Sequence, residues 1–336
     1  MDPIENPYSS NPPSKSSGKG LGWKIFFGII LGFSITANLL LFLALVVSVV
    51  AFTTDKSEYF LEKVLEEGPG GNKIAVIKIE GIINNELAEN VSQQIKDAKK
   101  DKKVKAVIFQ TNTPGGGISA SDRIYDQIKR FRAETGKPAI AFMETIATSG
   151  GLYTSAACDK IIAEPTTITG SIGVIMGHLV FQELFEEKLG IKPVVIKSSE
   201  KKNWPTTFEP VTEEQVQYLN DKLITPAYER FVNIVAQSRK DMLEYEQIRA
   251  LADGSVYNAT EALENKLIDK IGYMPEAIEL AKSLANIKDA KVVEYTKPFS
   301  FESLLDAKTL FKLDKDALLE LTTPQLMYLW NAGLQF

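Results

Sequence analysis

The spacing of apolar positions changes several times along the chain, and each change marks an element. From Ile25 to Phe52 no charged residue occurs, and Ser34, Thr36, Asn38 and Ser48 are the polar interruptions of the apolar run. A helix rises about 1.5 Å per residue, so about 20 apolar residues cross the hydrocarbon core of a bilayer. The run predicts a transmembrane anchor over 25–52 with length to spare. The alternative is a cleaved signal sequence, whose apolar core is shorter and ends at a small-residue site. No such ending is visible here.

Beyond residue 72 short apolar runs alternate with helical spacing. KIAVIKI (Lys73–Ile79), VKAVIFQT (Val104–Thr111) and PAIAFM (Pro138–Met143) have strand length. Leu87, Val91, Ile95 and Ala98 recur at helical spacing, as do Ile124, Ile128 and Phe131. A helix is expected to open at Ser149, and further short strands at Lys160–Ala163 and Pro193–Ile196. This alternation predicts βαβ units and a mainly parallel α/β sheet. A long helical stretch follows from Thr212 to about Arg239. Thr212 with Gln215 reads as a capping box at its start, and Pro226 predicts a kink in its middle. The linker 53–72 is expected to hold a short helix over 59–65 and closes on Gly68-Pro69-Gly70-Gly71. The C-terminal extension 299–336 carries two weak helical patterns, FESLLDAKTLF and TPQLMYLW. The boundaries read from these patterns are a disordered tail 1–24, rich in Pro, Ser, Gly and Asn, the anchor 25–52, the linker 53–72, a catalytic-sized domain 73–298 and the extension.

Composition narrows the function. Of 336 residues, 44% are hydrophobic, which supports one sizeable core besides the anchor. A net charge of −5 leaves no overall basic footprint, so nucleic acid is not an expected partner. Cys158 and His178 are the single residues of their kinds. A disulfide within the chain, a cysteine-based zinc site and a histidine-rich metal site are thereby excluded, and no metal or cofactor is expected. Any histidine-based triad would need His178 itself. Lys15, Lys19 and Lys24 precede the apolar run, whereas Asp55, Lys56 and Glu58 follow it. The positive-inside rule then puts the tail in the cytoplasm and the globular part outside.

In an α/β sheet, sites gather at the carboxyl ends of strands. Two loops lie there. Thr113-Pro114-Gly115-Gly116-Gly117 follows the second strand, and its glycines permit close approach of backbone N–H groups to an oxyanion or phosphate. It also reads as a plain tight turn, and it lacks the Lys-Ser/Thr ending of a P-loop. Thr145 to Gly151 follows the third strand and carries Ser149 at a strand-to-helix turn. Ser149 reads either as a helix cap or as an exposed nucleophile. A nucleophilic hydroxyl needs a base. The residues open to that role are His178 and the lysines. A lysine serves only when largely neutral, and burial or neighbouring positive charge favours that state. The run Ile196 to Asn203 concentrates three lysines and otherwise reads as a solvated loop.

Taken in order, these segments resemble the signal peptide peptidase A (protease IV) family of membrane serine proteases. The similarity runs from about Lys73 to Gly272. It rests on TPGGG, ATSGGLYTSAACDKIIAEP, TGSIGVIMG, TEEQ with YERFVNIVAQSR, and ADGSVYNATEALENKLID. The resemblance implies a ClpP/crotonase-like fold behind one transmembrane helix, in the short, single-module form. It implies Ser149 as nucleophile, Lys202 as general base and Ser171 as the group orienting the lysine. Backbone N–H groups of Gly116 and Gly150 would form the oxyanion hole, with Gly115 shaping the turn. The implied substrates are remnant signal peptides. The implied assembly is a homo-oligomeric ring in which Ser and Lys come from neighbouring protomers. Lys201 remains an alternative base, because Ser199-Glu200-Lys201 departs from the Gly-x-aromatic pattern that precedes the family lysine. Thr113 stands where the family has Ser, and Asn258-Ala259 stand where it has Thr-Gly. Two other functions stay in view. One is a catalytically silent membrane scaffold of the same fold. The other is a crotonase-type acyl-CoA enzyme, which would need carboxylates where the glycine loops offer only Glu144.

Overall fold

The computed structural model of the chain describes residues 19–54, 60–297 and 325–330. It separates into two units, residues 1–58 and 59–336. The first contains helix α1 (Lys19–Thr54), which takes in Lys19 to Lys24 from the expected tail. Within it Gly22–Val49 is long and apolar enough to cross a membrane. Two of its polar residues bond back to the helix. Thr36 Oγ1 donates to Gly32 O (2.8 Å) and Asn38 Nδ2 to Ser34 O (2.7 Å), which covers their polarity.

The second unit is built on a nine-stranded sheet. Its centre is β2 (Lys73–Glu80), β3 (Val104–Thr113), β5 (Ala139–Thr148) and β6 (Lys160–Ala163), all parallel. These are the runs read as strands from sequence. Their near-continuous apolar character follows from burial on both faces. Alternate residues go to opposite sides. Ala75, Ile77, Val107, Phe109, Ala141 and Met143 enter one core, while Ile74, Val76, Ala106, Ile108, Ile140 and Phe142 enter the other. The larger core is covered by α2 (Asn85–Lys100), α3 (Ile118–Thr135) and α6 (Thr225–Arg239), among others. The smaller is covered by α9 (Met274–Leu284) through Ala277, Ile278 and Ala281.

α2 shows why the sequence folds this way locally. Asn84 caps it by accepting from Leu87 N–H, Glu86 sits in its first turn, and Lys99 and Lys100 sit in its last, matching the helix dipole. Its buried stripe includes Ala88, Val91, Ile95 and Ala98.

Several expectations are corrected. The helix expected over 59–65 is instead strand β1 (Leu61–Glu66), paired antiparallel with β11 (Lys291–Thr296), with Val64 opposite Val293. Pairing partners far along the chain decide a short segment over its local pattern. No strand forms at 193–196. Val194 is 84% and Ile196 97% exposed, so a run of strand composition lacks any surface to complete. The stretch 212–239, by contrast, is helical from Glu213 to Arg239 as expected: α5 (Glu213–Leu219) begins at the Thr212–Gln215 capping box, a π-turn spans Asn220–Ile224, and α6 continues from Thr225, so the irregularity expected at Pro226 takes the form of the π-turn just before it. TPQLMYLW contains strand β12 (Gln325–Leu329), not a helix. FESLLDAKTLF lies outside the described residues.

Candidate active site

Both loops singled out above end at the same place. β3 and β5 are neighbours, and Thr113 registers with Ala147 at their carboxyl ends. β5 stops at Thr148, and Ser149 turns the chain into α4 (Gly150–Ser155) with φ 52° and ψ −109°. A positive φ is costly for a residue with a Cβ, about 1–3 kcal/mol, and persists where surrounding structure imposes it. Here Ser149 N–H donates to Gly170 O (2.8 Å) and Ser149 O accepts from Tyr153 N–H (2.9 Å). Ser149 is buried, and its Oγ has no hydrogen-bond partner among the described residues. It does not cap α4 with its side chain. The helix ends at Ser155, and Cys158 follows it. Cys158 packs in the core, where burial pushes its thiol pKa up and away from reactivity.

The glycine loop forms a three-residue strand, β4 (Gly115–Gly117). Gly115 has φ 102°, and a Cβ there would lie 1.9 Å from Tyr328 O and 2.8 Å from Gly150 N. A Cβ on Gly150 would lie 3.0 Å from Gly115 Cα and 2.8 Å from Ser121 Oγ. The three glycines named from sequence therefore do converge, and glycine is required because backbone meets backbone. Ser171 joins them through its neighbour. Gly170, which holds Ser149 N–H, ends β7 (Ile168–Gly170), and Ser171 follows with φ 52°, buried, its N–H donating to Ser255 O (2.7 Å).

Among the described residues, no lysine is hydrogen-bonded to Ser149. Lys202 is exposed on a 3₁₀ turn (Glu200–Asn203); its backbone N–H donates to Ser199 O (3.2 Å), and its side-chain amine has no hydrogen bond or ion pair among the described residues. Lys201 lies over the rings of Tyr218 (4.6 Å) and Trp204 (5.4 Å). His178 is not bonded to Ser149 either, and its Nε2 is buried without a partner among the described residues.

Sequence reading missed the strand that lies on the site. β12 pairs antiparallel with β4, Tyr328 opposite Gly116 and Leu329 opposite Gly115. Its other edge pairs with β8 (Ile175–Gly177). Trp330 N–H donates to Pro114 O (2.8 Å). The Tyr328 ring is fully buried, 4.7 Å from Tyr153 and 4.8 Å from Phe231, and its hydroxyl donates to Ala227 O (2.8 Å). Beneath it Tyr153 Oη donates to Asp122 (2.6 Å), which also pairs with Arg230. Burial first, and then the hydrogen bond to Asp122, push the Tyr153 pKa up, so the phenol stays protonated. The short run Leu326-Met327-Tyr328-Leu329-Trp330, apolar and aromatic and of strand length, was the available signal for a strand.

Residues 132–288 match Peptidase family S49, and residues 73–179 match the N-terminal domain of NfeD1b. The "Putative signal peptide peptidase SppA" of Enterococcus faecium is 34% identical over 250 residues, 71% of each chain. The chain belongs to peptidase family S49. The chloroplastic serine protease SPPA of Arabidopsis thaliana is 33% identical over 244 residues, 68% of this chain and 35% of that one. Among solved structures, ClpP1 from Listeria monocytogenes aligns with a TM-score of 0.39 at 19% identity, covering 60% of this chain and 94% of its own. As an S49 member the chain is a serine protease with the ClpP/crotonase-like α/β fold that its sheet displays. That membership removes the acyl-CoA enzyme from consideration.

Proposed function

We propose that the chain is a membrane-anchored endopeptidase that uses Ser149 as nucleophile and Lys202 as general base to degrade remnant signal peptides. The observation that carries this is Ser149 itself. Its hydroxyl is buried and without a partner among the described residues, on an imposed positive-φ turn beside the Gly115–Gly117 loop. A buried hydroxyl left without a partner is costly, and a reacting group is a reason to retain it.

In this reading the substrate lies extended along Gly115–Gly117, as β12 does, so backbone pairing supplies affinity. Ser149 Oγ attacks the scissile carbonyl and gives its proton to the neutral Lys202 amine. The carbonyl oxygen takes negative charge opposite Gly116 N–H and Gly150 N–H. Collapse of the tetrahedral intermediate expels the amine, which takes the proton from Lys202, and water then releases the acyl group. Ser171 orients the amine.

Lys202 is supplied by a neighbouring protomer of a homo-oligomeric ring. Two features support this: Ser149 Oγ has no partner among the described residues of its own chain, and the segment leading to Lys202 exposes Leu189, Ile191, Val194, Val195 and Ile196. α1 anchors each protomer in the bilayer, with the tail cytoplasmic and the peptidase unit outside.

The test is hydrolysis of a fluorogenic signal-peptide substrate. Ser149→Ala and Lys202→Ala each lower kcat by at least about a thousandfold, while Lys201→Arg keeps activity. Mixing the two inactive variants, each carrying one intact half, restores part of the turnover. A Ser149→Ala enzyme with wild-type turnover removes the nucleophile, and inactive mixtures remove the shared site.

A further inference from the structure

We infer that Thr113 is a positioning residue for the oxyanion strand, holding Gly116 N–H as the one backbone donor that β4 offers to a substrate. The inference rests on the reading of Gly115–Gly117 as the oxyanion loop. Its ground is the set of partners held by the backbone groups of the three glycines.

Gly115 N–H donates to Thr113 Oγ1 (3.0 Å), and the same hydroxyl donates to Gly81 O across the loop. Gly115 O accepts from Ile83 N–H (2.8 Å), and Gly117 N–H donates to Ile83 O (2.8 Å). Gly117 O accepts from Ser121 Oγ (3.1 Å). Gly115 and Gly117 thus spend all four groups on their own chain, at the Ile83 edge or on a hydroxyl. Along a strand successive residues face opposite edges. Gly116 is left facing the other edge, where β12 now lies with Tyr328 in register.

Gly115 at φ 102° is the hinge of this arrangement. A glycine there has no side chain to fix its torsions, and a neighbouring group must do so. Thr113 is that group. It is fully buried, and its hydroxyl accepts from Gly115 N–H, donates to Gly81 O, and has Gly115 O as a second, longer acceptor (3.3 Å), so it grips Gly115 at both its N–H and its C=O. Without the hydroxyl, Gly115 N–H and Gly81 O lose a shared partner, and the φ 102° turn is free to relax. The donor at Gly116 then moves relative to Ser149, and rate is lost in the step where the oxyanion forms rather than in peptide binding.

The experiment compares Thr113→Val, nearly the same shape without the hydroxyl, with Thr113→Ser, which keeps it. Steady-state kinetics on one peptide give kcat and KM separately, and thermal unfolding of each purified full-length chain accompanies them. The expected result is a fall in kcat of at least tenfold for Thr113→Val with KM within twofold of wild type, and Thr113→Ser within about threefold on both. A Thr113→Val enzyme with unchanged kcat overturns the inference. So does a variant whose kcat and KM shift together at a lowered Tm, because that is the behaviour of a merely structural residue. Failure of the underlying reading is distinguishable, since it would appear as turnover surviving in Ser149→Ala whatever Thr113 does.

Discussion

At the scale of single residues, the site is a set of places where ordinary side chains do not fit. A Cβ on Gly116 would lie 2.2 Å from Ile83 O, whereas a Cβ on Gly117 meets nothing nearer than 3.7 Å. Adjacent glycines in one motif therefore differ in kind. Gly116→Ala must push two backbones apart, at a cost of about 1–3 kcal/mol or more. It is expected to lower Tm and abolish turnover, while Gly117→Ala, at φ −61° and ψ 133°, keeps both within about twofold. Thermal unfolding and peptide hydrolysis on the pair check this. The sequence made all three glycines visible but not this difference, because a repeated letter carries no information on which backbone approaches which. Ser149 was visible for the same reason as the glycines, by its place after a strand. That its hydroxyl is unpartnered rather than capping α4 depends on the φ 52° turn, which no local pattern specifies.

At the scale of elements, legibility followed the number of partners. β2, β3, β5 and β6 were read correctly because burial on both faces writes a continuous apolar run into each. α2 and the start of α5 were read from stripe and caps. β1 and β12 were misread as helices, since each depends on one or two strands distant in sequence: β11 for β1, and β4 and β8 for β12. β12 also has an energetic consequence. Tyr328 is buried between Tyr153 and Phe231, and loss of such an aromatic from a core costs about 3–5 kcal/mol. A chain ending before Gln325 exposes that pocket and the Gly116 edge together. It is expected to melt at lower temperature and to cleave added peptides with a lower KM, because no tail competes for the strand position. A truncated enzyme with unchanged KM would show that β12 does not compete with substrate.

At the scale of the whole molecule, charged groups tie the peripheral elements to the sheet. Asp269 pairs with Arg239 of α6 (2.9 Å) and Lys160 of β6 (3.0 Å), and accepts from Ile161 N–H (2.8 Å). Burial alone would raise its pKa, but Arg239, the backbone N–H of Ile161 and Lys160 outweigh that and hold the carboxyl below its usual range. The folded pKa is thus below the unfolded value of about 4. This contribution to stability is complete above the unfolded pKa and is lost as pH falls through the folded one. Asp269→Asn leaves Arg239, 4% exposed, without its charge partner and should cost about 3–5 kcal/mol at neutral pH. The difference from wild type should shrink as pH is lowered below about 4, which chemical denaturation at several pH values measures.

The sequence by itself determined the apolar helix, the parallel centre of the sheet, the convergence of two loops at its carboxyl edge and the residue types available there. Each of these is a local pattern or follows from neighbouring strands. Only the tertiary structure decided that Gly116 faces the groove while its neighbours do not, that Thr113 holds the turn, and that the last strand comes back to lie on it. It also placed Lys201 against Tyr218 and Trp204 while leaving the Lys202 side chain without a partner among the described residues. The first three outcomes depend on contacts between segments from about 30 to more than 200 residues apart, and chain-local spacing has no term for such contacts.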